Sequence, residues 1–237
     1  MKPIKLLAAA ALGVLLSACA PSKPVPPLAT ADAAPPVAAA YRTTFRDEAG
    51  EAKVNEWRFW RAPDRIERET PARANGELWL RSAGTLFHTR LYHGDRKGIE
   101  YRADDLAVTG ATPSWASLAL LVDPAALEPL TERSEGWSDG YPWRRYRGEI
   151  EGVKWDIRIR TDWMLPVSIR HDAGRGTETV ELLQVHPRDK APWEPTPSEG
   201  YEIIDFADLG DRERDPFILR IQAEEGSDDA HGHGHAH

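Results

Sequence analysis

The run Val153-Lys154-Trp155-Asp156-Ile157-Arg158-Ile159-Arg160 narrows what this chain can become more than any other stretch. Four apolar side chains alternate strictly with four charged ones. A period of two sends the two sets to opposite faces of an extended strand, whereas a helix would scatter both around its circumference. The same alternation occurs in Tyr41-Arg42-Thr43-Thr44-Phe45, in Trp57-Arg58-Phe59, in Glu77-Leu78-Trp79-Leu80-Arg81 and over residues 85–93. Trp143-Arg144-Arg145-Tyr146-Arg147 is a further strand. It leads through Glu149-Ile150-Glu151-Gly152, which predicts a hairpin turn, into the strand at Val153.

After Arg160 the pattern continues. Residues 161–164 predict a turn, and Leu165-Pro166-Val167-Ser168-Ile169 opens the next strand. Proline is tolerated at a strand's first positions because its missing N–H need not serve the ladder there. It also biases Leu165 to extended geometry. Gly174-Arg175-Gly176 predicts another turn, and Val180-Glu181-Leu182-Leu183 returns the chain, completing a three-strand meander. One region breaks the alternation. Thr112-Pro113-Ser114-Trp115 and Asp123-Pro124-Ala125-Ala126 each place a capping residue before an apolar run, with proline at the first helical position. Two short helices are expected between about 113 and 130. They are too apolar to lie free in water and must pack on the sheet. The expected class is α+β, dominated by antiparallel sheet.

The stretch Trp155-Asp156-Ile157-Arg158-Ile159, a polar turn, Leu165-Pro166-Val167-Ser168-Ile169, then Gly176-Thr177 and Val180-Glu181-Leu182-Leu183, resembles the superfamily of LolA and LolB, periplasmic carrier and outer-membrane receptor of lipoproteins. The resemblance covers about 35 residues clearly. It implies a curved antiparallel sheet forming an incomplete barrel, with short helices on the concave side and an apolar cavity between them that binds acyl chains. Trp57, Phe59, Leu78, Trp79, Leu80, Trp115, Leu118, Leu121, Trp155, Ile157 and Ile159 are the candidate lining. The same residues would equally fill a closed core.

At the N-terminus, Lys2 and Lys5 precede an apolar run from Leu6 to Leu16, followed by Leu16-Ser17-Ala18-Cys19. A positive region, a short apolar core and small residues before a cleavage point read as a signal peptide over residues 1–18. The core is too short to span a bilayer as a stable helix. The Leu-Ser-Ala-Cys ending resembles a bacterial lipobox, in which the cysteine is acylated and becomes the mature N-terminus; an ordinary secretory leader is the alternative. Cys19 is the only cysteine, so no intramolecular disulfide can form. Ala20 is not the aspartate that would mark inner-membrane retention, and the expected location is the outer membrane, facing the periplasm. Residues 19–40 hold the acylated Cys and a proline- and alanine-rich stretch, read as a tether reaching roughly 60 Å at ~3.1 Å per residue. The β-rich domain is placed at 41–221, and residues 222–237 are expected to be a disordered acidic, His-rich tail.

The formal net charge is −8, or −10 once Lys2 and Lys5 are lost with the leader. An acidic chain without a basic run argues against nucleic-acid binding, which requires phosphate neutralisation. No nucleophile elbow, Cys-His pair, phosphate loop or His-Glu-x-x-His motif occurs, and no enzyme is expected. His88, His93, His171 and His186 are scattered. The alternating His231, His233, His235 and His237 could chelate Zn, Ni or Cu weakly in a flexible tail. Arg144, Arg145, Arg147, Arg158, Arg160 and Arg170 gather on one strand set, either as a solvated face or as a patch for an acidic partner or lipid headgroups. Together these features predict an outer-membrane-anchored protein that binds an acyl chain or another hydrophobic ligand. A periplasmic protein-interaction or regulatory module of the same fold, and metal binding through the tail, are the alternatives.

Overall fold

A computed structural model describes residues 23–110 and 112–229, with side chains through residue 224. Cys19, the signal segment 1–18 and His231, His233, His235 and His237 lie outside the described residues. Twelve strands form one open, curved sheet. They are β1 (Val37–Asp47), β2 (Ala52–Ala62), β3 (Arg65–Thr70), β4 (Asn75–Ser82), β5 (Thr85–Tyr92), β6 (Lys97–Tyr101), β7 (Glu132–Ser138), β8 (Tyr141–Ile150), β9 (Val153–Arg160), β10 (Leu165–Asp172), β11 (Gly176–Pro187) and β12 (Glu202–Asp205). Among the described residues there are three α-helices: α1 (Ala103–Val108) and α2 (Trp115–Leu120), both between β6 and β7, and α3 (Pro216–Asp229), which follows the last strand.

The spatial order is β12-β6-β5-β4-β3-β2-β1-β11-β10-β9-β8-β7. Two antiparallel meanders, β1 to β6 and β7 to β11, are therefore joined by the pairing of β1 with β11. Only β12 runs parallel to its neighbour β6. Tight hairpins follow where the chain supplies residues with positive φ, at Asp139-Gly140 (51° and 79°) and Glu151-Gly152 (51° and 82°). This pair of left-handed residues matches the twist of the flanking strands.

The helices come chiefly from one topological necessity. β6 and β7 are consecutive, yet ten strand spacings separate them in the sheet. Residues 102–131 must carry the chain across a sheet face, and an apolar crossover can do so only by packing on it. Ser114 caps α2 by accepting the N–H of Ser117 at 3.0 Å. The second expected helix is a 3-10 turn, Pro124–Leu127, capped by Asp123 accepting the N–H of Ala125 at 2.9 Å. Side chains on this helix-bearing face, called inner below, form a transverse row: Val37, Arg61, Ile66, Trp79, His88 and Tyr101 lie opposite one another from β1 to β6. Leu106 of α1, Ala119 of α2, and Phe217, Ile218 and Ile221 of α3 pack into the same cluster. A second cluster lies beyond it, where Leu127 and Leu130 meet Tyr146, Ile157 and Ile159.

The outer face is covered over β2 and β3 by the proline-rich segment 188–199. Glu69 accepts the N–H of Thr196 at 2.6 Å, Arg188 pairs with Glu67 at 3.5 Å, and Arg58 lies over Trp193. Trp60 and Ala38, neighbours on this face, are fully buried.

Two expected boundaries are corrected. The stretch read as a tether over 19–40 is not free across its length. β1 begins at Val37, Val37, Ala38 and Ala39 are buried, and residues 23–36 lie against the inner face as a strap. Proline there limits regular structure but does not prevent docking, because main-chain carbonyls remain available as acceptors. The tail expected to be disordered from 222 is helical to Asp229, because α3 is anchored by Phe217, Ile218 and Ile221 and extends past its apolar turn.

Arg61, 2% exposed, fastens these parts together. Its Nε and one Nη2 bond reach Pro35 O at 3.1 and 2.9 Å. Nη1 donates to Ala119 O at 2.6 Å and Met164 O at 3.3 Å, and Nη2 also donates to Trp163 O at 2.7 Å. All five guanidinium N–H groups are used, on the strap, the end of α2 and the turn before β10. Replacing Arg61 with Met keeps an unbranched apolar stem but leaves four carbonyls without their donor. The expected loss is about 3 kcal/mol, or roughly 8 °C in Tm for a chain of this size. A thermal melt of Arg61→Met within 2 °C of the wild type would show that the guanidinium is not what joins these segments.

Candidate functional site

The site lies where the strap, the crossover and β9 meet. Its geometry begins with the turn before β10. Arg160 grips Asp162 through two bonds at 2.8 and 2.6 Å, and Asp162 accepts the N–H of Trp163 at 3.0 Å. Met164 follows with φ of 52°, an unfavourable value for a side-chain-bearing residue that the Arg61 bonds to the Trp163 and Met164 carbonyls hold in place. Leu165 is then fully buried, and the Tyr41 hydroxyl donates to Pro166 O at 3.1 Å. Burial pushes the Tyr41 phenol well above its ordinary range, so it remains a donor. Burial lowers Arg61 to about 10, which still leaves the guanidinium charged at neutral pH.

On the opposite side, Leu121 ends α2 with φ of 59°, turning the chain sharply into the 3-10 turn. The two caps are tied to each other, because Ser114 Oγ donates to Asp123 Oδ2 at 2.9 Å. α2 and the 3-10 turn thus behave as one wall. Between this wall and β9 lies a pocket of about 270 Å³. Leu120, Val122, Pro124 and Leu127 form the crossover side, Ile159 and Met164 the sheet side, and Leu28, Ala29 and Thr30 of the strap the lid. Thr30 supplies the one side-chain hydroxyl among these lining residues. The Ala29 N–H donates to Met164 Sδ at 3.2 Å, so the lid is fastened here by a weak acceptor.

Of the eleven candidate lining residues, only Ile159 borders this pocket. Phe59 and Trp79 are buried in the larger cluster, and Trp57, Trp115, Leu118 and Leu121 pack against it. Ile157 is buried beside Ile159 in the second cluster, with Trp155 packed at its edge. Leu78 and Leu80 are corrected: they flank Trp79 on β4, so alternation turns them to the outer face when Trp79 points inward, and Leu80 is exposed. Met164 and the strap residues were not anticipated. A signal for the strap was present in Val25 and Leu28, two apolar side chains among the prolines.

The arginine set also divides. Arg145, Arg147, Arg158, Arg160 and Arg170 share the outer face by register, whereas Arg144 faces inward towards Glu135 and the strap. Asp156 binds both Arg145 and Arg147, and these guanidinium groups hold its carboxyl below the usual carboxylate range.

Beside the larger cluster stands a charged row, Arg68, Glu77 and Arg90, opposite one another on β3, β4 and β5. Burial opposes ionisation of Glu77, but Arg68, His88, Arg90 and the Trp79 indole outweigh it and hold its carboxyl below the ordinary value. His88 is stacked on Trp79 at 3.9 Å between centroids and on Tyr101 at 5.3 Å. Its burial lowers its pKa to about 4. Among the described residues, no group of three or more His, Cys, Asp or Glu side chains could hold a metal ion. No described helix is long and apolar enough to cross a membrane.

No family model matches the sequence, and no curated protein matches it. Similar solved structures include PNGF-II in two crystal forms. One has a TM-score of 0.41 at 11% identity, over 72% of this chain and 30% of that one. The other has a TM-score of 0.42 at 10% identity, over 75% and 33%. An uncharacterized conserved protein from Thermus thermophilus gives a TM-score of 0.32 at 8% identity, over 73% of this chain and 92% of that one. The chain spans about a third of the PNGF-II length.

The state of His88 leads to a pH dependence. Folded His88 binds its proton more weakly than the unfolded chain does, so the unfolded state is favoured as pH falls from about 6.5 towards about 4. Burial lowers the pKa of His93 in the same sense, while Glu178 raises that of His171 and acts in the opposite sense. Urea unfolding at pH 7 and pH 4.5 should show His88→Phe losing about 2 kcal/mol less stability on acidification than the wild type. Equal losses would mean that His88 is not buried in its neutral form.

Proposed function

We propose that the chain is a lipid-anchored binding protein that holds an acyl chain or another hydrophobic ligand in the pocket beneath its strap. The observation that carries this reading is an apolar pocket whose lid is a segment without regular structure. Its volume lies just under the ~300 Å³ typical of small-molecule sites. A short chain fits as it stands, and a longer one must lift Leu28, Ala29 and Thr30. The resemblance to the LolA and LolB superfamily supports the same reading, with the sheet as an incomplete barrel and the crossover helices on its concave side.

Acylation of Cys19 would tether the domain to the outer membrane on its periplasmic side. Lys23, four residues on, is already docked on Trp137, so no more than ~14 Å of chain separates the anchor from the fold. The pocket then works beside the bilayer rather than about 60 Å from it.

Full-length protein should bind a fluorescent fatty acid saturably, and Val122→Trp or Leu127→Phe, which fill the pocket, should each weaken binding about tenfold with the melting temperature little changed. Affinity unchanged in both variants would remove the pocket from consideration. Separately, Cys19→Ser should move the protein from the membrane to the soluble periplasmic fraction; retention in the membrane would contradict the anchor.

A further inference from the structure

The first part of the strap, residues 23–27, lies beyond the pocket on the inner face of the edge strand β7 and its neighbour β8. Three side chains make its seat there. Trp137 stands opposite Pro142, and Glu135 opposite Arg144. The Trp137 indole N–H donates to Lys23 O at 2.9 Å, and the Lys23 ammonium lies 3.9 Å from the centre of the same ring. Arg144 donates through Nε to Pro26 O at 3.3 Å and through Nη2 to Val25 O at 3.5 Å. Glu135, 2.9 Å from Arg144, orients the guanidinium.

These hydrogen bonds all end on main-chain carbonyls. The seat therefore reads the path of a backbone, with Lys23 over the indole as the one side-chain feature. That path is set by composition. Pro24, Pro26 and Pro27 restrict φ and remove three N–H donors, which favours a polyproline helix with its carbonyls pointing outward. Docking of a preformed polyproline helix against aromatic side chains is a recurring way of recognising proline-rich peptides; here Trp137 supplies the aromatic ring, and its indole and Arg144 supply the donors. The two Arg144 bonds are long, and the lid beyond them is fastened through a thioether, so the segment is held loosely.

We infer that the Trp137–Arg144 groove is a docking site for an extended, proline-rich peptide of another protein, one carrying a Lys or Arg immediately before its first proline. Residues 23–27 of this chain are its occupant in cis. Tethering gives the strap an effective concentration in the millimolar range, so a partner in trans succeeds only by offering a better sequence or several copies. The inference does not depend on the ligand pocket: Trp137, Arg144 and Glu135 are not among the pocket's lining residues, although Leu28 of the strap serves both, and it survives if no acyl chain binds.

The test uses the full-length protein and a fluorescein-labelled peptide of residues 22–29, Ser-Lys-Pro-Val-Pro-Pro-Leu-Ala, read by anisotropy. Leu28→Asp removes the strap's apolar foothold in the second cluster. That variant should bind the peptide at least about tenfold more tightly than the wild type, because the cis competitor is weakened. Adding Trp137→Ala should cost about tenfold again, and a peptide with all three prolines replaced by glycine should not bind. The pair Pro26→Gly and Pro27→Gly loosens the strap without placing a charge near the core, and gives the same comparison should Leu28→Asp fail to fold. Equal peptide affinity for wild type and loosened strap, or no loss with Trp137→Ala, overturns the inference. Concentration-dependent dimers of the loosened variant would make a second copy's strap the occupant and overturn the partner in trans.

Discussion

A buried guanidinium bonded wholly to main-chain carbonyls organises the middle of this structure. Arg61 sits in the inner row of the sheet and reaches Pro35, Ala119, Trp163 and Met164. Desolvating an arginine costs several kcal/mol, and carbonyl dipoles offset that cost only when every N–H finds one. Here each does, so the three segments that supply the carbonyls are drawn to one point. Ala119 belongs to the last turn of α2, where the helix dipole also favours a cation. With the segments fixed, Met164 is kept in a left-handed conformation and Leu165 enters β10 fully buried. The Leu165-Pro166 step is in this structure a strand entrance clamped by Arg61 from one side and by the Tyr41 hydroxyl from the other.

The strand pattern was the legible part of the sequence. Val153 to Arg160 alternates so strictly that β9 has the bounds its side chains suggest, and the hairpin before it turns at Glu151-Gly152. Strands with mixed faces left no such trace. Ile66 lies among Arg65, Glu67, Arg68 and Glu69, so β3 reads as a charged loop until Arg188 and Thr196 are seen to satisfy the outer-facing carboxylates. α3 was legible in principle: Asp215-Pro216 repeats the Asp123-Pro124 signal, and the Asp215 carboxylate accepts the Phe217 N–H at 2.8 Å. The inner residues of the site divided for a different reason. Composition supplies apolar side chains for a cavity and for a core without distinction, and Phe59 and Trp79 went to the core. What decides the pocket is the strap, whose docking depends on Trp137, Arg144 and Arg61, residues distant from it in sequence.

The strap thus links the pocket and the sheet edge. Its prolines make it a poor strand, which leaves its carbonyls free for side-chain donors and its apolar residues free to close a pocket. Arg81 pairs with Asp32 and Arg61 holds Pro35, so its C-terminal end is firm, while the part over the pocket rests on Leu28 and one sulfur acceptor. A lid built this way can lift locally while the sheet behind it stays intact.

The central claim is that an apolar ligand sits between the crossover wall and β9. Photolabelling of the full-length protein with a diazirine fatty acid, followed by peptide mapping, tests it most directly. The account predicts labels concentrated on the segments that carry Val122, Leu127, Ile159 and Met164, and their loss in Val122→Trp. Labels confined to the outer face, or spread evenly along the chain and unaffected by that substitution, would contradict it.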